Sequence, residues 1–77
     1  MVFELTVNGK TFLINEANIL YVQFGDDLYP KDQALSVDIC TLDQKHITIT
    51  NGTNAEAQET YNKIRKRLIA DMNLTDL

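Results

Sequence analysis

The chain has 77 residues, a net charge of −4, one cysteine, 44% hydrophobic residues and 23% charged residues. That size holds one small domain near the lower limit for folding without staples. A single cysteine excludes an intrachain disulfide, no apolar run reaches the length of a membrane span, and the acidity argues against general binding to phosphate backbones.

Phe3, Leu5 and Val7 alternate with Val2, Glu4 and Thr6, which is the two-residue period of a strand. Asn8-Gly9 follows, the dipeptide most typical of a two-residue hairpin, because both positions tolerate positive φ. Such a turn pairs Val7 with Lys10, Leu5 with Phe12 and Phe3 with Ile14, so the large apolar residues share one face. Asn15 to Asn18 break the alternation. A third strand resumes at Ile19–Phe24, with Leu20, Val22 and Phe24 expected inward and Tyr21 outward.

Gly25 to Gln33 is the one evident loop. It holds Asp26, Asp27, Pro30 and Asp32 and is the segment expected to be most mobile. Leu35, Val37 and Ile39 then alternate with Ser36, Asp38 and Cys40, and Ile47 and Ile49 with His46, Thr48 and Thr50. Face matching selects a three-residue loop at Asp43-Gln44-Lys45. That register sets Leu42 opposite His46, Cys40 opposite Thr48 and Ile39 opposite Ile49.

Asn51-Gly52 ends the strands. Thr53 and Glu56 form a capping box, and Thr53 to Met72 reads as one amphipathic helix. Ala57, Tyr61, Ile64 and Leu68 make its apolar stripe, while Glu56, Glu59, Lys63, Lys66 and Arg67 lie on the other side. The expected fold is α+β: an antiparallel meander sheet of four to five strands with one C-terminal helix packed on its apolar face. Phe3, Leu5, Phe12, Ile14 and Leu20 would share that core with Leu35, Ile39 and Ile49 under Tyr61, Ile64 and Leu68.

Nothing in the sequence spells out catalysis. Cys40 and His46 are the residues suggestive of a nucleophile and its base. The pattern puts them diagonal on one outward face, as a surface thiol beside a strand-end histidine with no evident orienting group. Asp26, Asp27 and Asp32 lack the spacing of a calcium loop, and one His with one Cys cannot furnish a structural zinc site. No glycine motif cradles a phosphate. No enzyme activity, cofactor or metal is expected.

The surfaces left for partners are specific. Tyr21 and Tyr29 offer exposed aromatic contacts, and Ile69 and Met72 sit on a helix flank off the main stripe. An open meander also has two edge strands, which points to a two-fold homodimer. Residues 1–53 carry seven acids against three lysines, whereas residues 54–77 are neutral. A protein partner with a basic face suits that distribution.

The run Leu5-Thr6-Val7-Asn8-Gly9-Lys10-Thr11-Phe12-Leu13-Ile14-Asn15, followed by Ile19-Leu20-Tyr21-Val22, resembles the small bacterial flagellar FlbD proteins. The later hairpin and closing helix run in a similar order, so the pattern spans roughly residues 4–68. The Gly25–Gln33 loop and the Asn51-Gly52 turn depart from it. The resemblance implies a non-enzymatic accessory or regulatory protein and transfers no binding residue.

The resulting expectation is a small cytoplasmic protein-binding module, of a size and acidity that also suit a phage or mobile-element accessory. One alternative is a nucleic-acid-linked regulator using Lys63, Lys66 and Arg67 on the helix, although no aromatic platform interleaves with those charges. Another is a small-ligand binder at a subunit interface.

Overall fold

The computed structural model describes residues 2–71. Five strands precede one helix in the order β1 (Val2–Val7), β2 (Lys10–Asn15), a 3-10 turn (Glu16–Asn18), β3 (Ile19–Phe24), β4 (Ser36–Thr41), β5 (His46–Thr50) and α1 (Asn54–Asp71). This is the expected α+β arrangement. Its antiparallel strands fall into two sheets, the β1–β2 hairpin and the three-stranded order β3-β4-β5.

The first hairpin has the register that its turn dictates. Val7 pairs with Lys10, Leu5 with Phe12 and Phe3 with Ile14. Asn8 and Gly9 both take positive φ (51° and 77°), as a two-residue turn matched to strand twist requires. The Asn8 side chain then donates to Thr50 O at 3.1 Å, tying the hairpin tip to the end of β5.

Between the sheets, Asn15 caps the 3-10 turn by accepting from Ala17 N. Its first residue, Glu16, has a side chain only 7% exposed, and Arg67 of the helix reaches it with Nε 3.6 Å from Oε1. The Arg67 guanidinium lies 5.7 Å from the centre of the Phe3 ring, so one side chain touches both the first strand and the connection.

In the second sheet, β4 is central. Val37 and Ile39 are fully buried on its inner face, opposite Ile49 and Ile47 of β5. The β4–β5 register differs from the sequence-based one by two residues. Cys40 faces His46, Asp38 faces Thr48 and Ile39 faces Ile47. The connecting loop does have three residues, but they are Leu42, Asp43 and Gln44. Gln44 adopts φ 64°, and its N–H donates to Thr41 O. Thr41 fixes the closing pair: its N–H donates to Lys45 O and its hydroxyl accepts from Lys45 N.

Two residues expected in the core lie outside it. Leu20 is 53% exposed because β3 bulges between Ile19 and Tyr21, which inserts Leu20 as an extra residue and passes the inward position to Ile19. Leu35 is 45% exposed because it precedes β4. The turn in which Gln33 N and Ala34 N both donate to Pro30 O brings Ala34 inward instead.

The helix begins as expected, with Thr53 Oγ1 accepting from Glu56 N. Ala57 and Ile64 are fully buried, and Tyr61 and Leu68 pack partly buried against the core. Tyr61 stacks on Phe24 with ring centroids 5.3 Å apart. One polar pair is buried with them. Thr60 Oγ1 donates to Asn51 Oδ1 at 2.7 Å, and the Asn51 amide donates to Leu35 O at 3.3 Å and reaches Ile49 O at 3.5 Å. Asn51 is therefore a knot between the end of β5, the entrance to β4 and the helix.

Candidate functional site: a loop cleft and an outer sheet face

The loop between β3 and β4 is built, residue by residue, into one wall of a cleft. Gly25 takes φ 85°, and a Cβ there would lie 2.8 Å from Lys31 N, so only glycine lets the two ends of the loop approach this closely. Asp26 follows and organises the tip. Its Oδ1 accepts from Leu28 N (2.9 Å) and Tyr29 N (2.6 Å), and its own N–H donates to Tyr29 O. At the far end, Asn54 at the start of the helix donates from one amide nitrogen to both Lys31 O and Ala34 O at 2.8 Å. The segment expected to be most mobile is thus tied at its tip and at its exit.

This scaffold holds large apolar side chains in water. Leu28 is 77% exposed and Tyr29 59%. Tyr29 and Leu35 line a cleft of about 370 Å³ together with Gly25, Asp26, Ser36 and Thr50. The volume is near the lower end for small-molecule sites. Ser36 and Thr50, cross-strand neighbours whose hydroxyls lie 3.0 Å apart, give one wall a polar rim.

The outer face of the three-stranded sheet carries the chemistry-bearing residues. Tyr21, Cys40 and His46 form one row across β3, β4 and β5. Asp38 orients the histidine, with Oδ2 2.8 Å from His46 Nδ1, and its other oxygen accepts from Thr48 Oγ1 at 3.4 Å. An orienting carboxylate is therefore present where the sequence suggested none. The thiol nevertheless differs from the expected surface group. Cys40 is 3% exposed because it sits on the central strand with Tyr21 and His46 on either side, and Sγ donates to Thr41 O at 3.6 Å. A substrate has no approach to that sulfur. Hydrogen bonding to Cys40, then partial desolvation and the negative charges of Cys40 and Asp38, raise the Tyr21 phenol above its ordinary pKa of 10.0.

The basic helix residues are dispersed. Lys63 Nζ lies 3.7 Å from Glu59 Oε1 on the same face, and Arg67 is turned to Glu16. Lys66 lines a shallow groove with Asn62, Glu59 and Lys63, so acid and base are mixed there. Ile69 is half-buried, and Met72 lies outside the described residues. Tyr21 and Tyr29, the two expected aromatic contacts, are both exposed but belong to different surfaces, the sheet face and the loop. The sequence pattern does not single out Leu28 or Leu35: Leu28 carries no periodic signal, and strand alternation places Leu35 inward.

Among the described residues, no group of three or more His, Cys, Asp and Glu side chains is placed to hold a metal ion, and no helix is long and apolar enough to cross a membrane. No protein-family model, curated protein or solved structure matches the chain.

Proposed function

We propose that this chain is a small, non-enzymatic protein-binding module whose contact surface is the loop cleft around Tyr29. The observation that carries this reading is the exposure of Leu28, Tyr29 and Leu35 on a loop that Asp26 and Asn54 hold in one shape. Apolar side chains displayed on a preorganised scaffold lose little conformational entropy on binding. Grouped apolar exposure of this kind also marks interaction sites on small domains. The one thiol of the outer sheet face is buried, which fits a non-enzymatic reading.

Site-specific crosslinking in the cells that make the protein tests the proposal. A photoreactive benzophenone side chain at position 29 should give discrete protein adducts that disappear when Leu28→Ser and Leu35→Ser are added. The same group at position 13, on the other sheet and also well exposed, is the control. Equal adducts from position 13, or none from position 29, would refute it.

A further inference from the structure

The cleft has a charge as well as an apolar wall. Asp26 lines it, and Asp27 and Asp32 are exposed in the same loop. None of the three carboxylates is ion-paired among the described residues. Lys31, the one Lys or Arg between residues 11 and 44, is outnumbered by these three carboxylates and forms no ion pair with them. Its ammonium lies 6.0 Å from the centre of the Tyr61 ring, and its carbonyl is held by Asn54. The loop therefore shows unbalanced negative charge beside Leu28, Tyr29 and Leu35.

We propose that the occupant of the cleft is a cationic peptide segment of a partner protein: one apolar side chain seated between Tyr29 and Leu35, with a neighbouring lysine or arginine facing the loop carboxylates. The inference rests on the protein-binding reading above and adds the chemistry of the partner. Three features support it. Tyr29 and Leu35 offer burial to an anchor, the Ser36 and Thr50 hydroxyls in the lining offer hydrogen bonds, and the aspartates select the sign of the flanking charge. The same carboxylates repel phosphate, so a nucleic acid is the wrong ligand here.

The test uses the whole chain, isotope-labelled for NMR, with three short synthetic peptides. Each carries a central Leu-Phe pair, flanked by Lys and Arg, by Glu and Asp, or by Ser and Gly. The cationic peptide should shift the amides of Gly25, Leu28, Tyr29, Leu35 and Thr50 and should weaken as salt is added, since exposed charges are screened over about 8 Å at physiological ionic strength. Combining Asp27→Asn with Asp32→Asn, both on the exposed loop, should weaken it by roughly three- to tenfold. Binding of the acidic peptide as tightly as the cationic one, or shifts centred away from the cleft, would overturn the inference. If the neutral peptide binds in the cleft as tightly as the cationic one, the charge selection is wrong while the protein-binding reading stands. If no peptide perturbs the cleft, this inference falls, and crosslinking from position 29 decides the wider reading by itself.

Discussion

Thr60→Val isolates the buried polar knot. Valine keeps the branched shape of threonine and puts a methyl group in place of the hydroxyl. Thr60 and Asn51 are 5% and 4% exposed, so water does not replace the lost partner. The 2.7 Å bond to Asn51 Oδ1 disappears and leaves a buried carbonyl oxygen unsatisfied, which costs about 1–3 kcal/mol. A 77-residue domain has a total stability of about 4–12 kcal/mol, so the loss is a large fraction of it. With a urea dependence of about 1 kcal/mol per molar for so small a protein, the unfolding midpoint should fall by about 1–3 M. Thr60→Ser is the control. It keeps the bond and removes one methyl group, worth about 0.8 kcal/mol. A Thr60→Val variant as stable as the parent, or more stable than Thr60→Ser, would show that Asn51 and Thr60 do not form the clamp described.

Ile49→Ala, at a site 1% exposed, should lower stability by about 2–5 kcal/mol in the same urea assay, and an unchanged midpoint would contradict the inward face of β5. Gly25→Ala should cost more than Gly9→Ala. Both place a Cβ at positive φ, a strain of about 1–2 kcal/mol, but only at Gly25 would that atom meet backbone, at Lys31 N; equal losses would argue against the close approach. Ultraviolet titration should place the Tyr21 phenol above 10.0, with the shift reduced in Cys40→Ala. The folded state then holds that proton more tightly than the unfolded chain does. Its contribution to stability is intact below the unfolded pKa and is lost as pH rises through the folded one. A Tyr21 midpoint unmoved by Cys40→Ala would refute the hydrogen bond as the main cause.

The parts of this fold that were legible are those where a local rule leaves one solution. Asn8-Gly9 permits a two-residue turn, and that turn sets every pair of the first hairpin. Thr53 with Glu56 locates the helix start by a backbone need that few residues meet. The β4–β5 register was not fixed in this way. Registers two residues apart put the same side chains on the same faces, so hydrophobic matching cannot separate them. The deciding feature is positive φ at Gln44, a residue type that gives no such signal. Leu20 was misplaced because a bulge changes strand phase without changing composition. The cleft was half legible: Tyr29 and the aspartates stood out in a loop. Leu35 did not, because the bond from Asn54 that shapes its approach spans twenty residues of sequence.

The order of elements also bears on how the molecule is made. Ala57 and Ile64, both fully buried, come from the last element, while Phe3 and Leu5 come from the first. A nascent chain that has released only its strands has two small sheets with open inner faces and no helix to cover them. During synthesis at about 5–20 residues per second, that half-covered state lasts seconds. The core closes only after Ile64 has cleared the ribosome, later than the strands it covers. Until then, the exposed strands are the stage at which chaperones or premature aggregation compete for the chain.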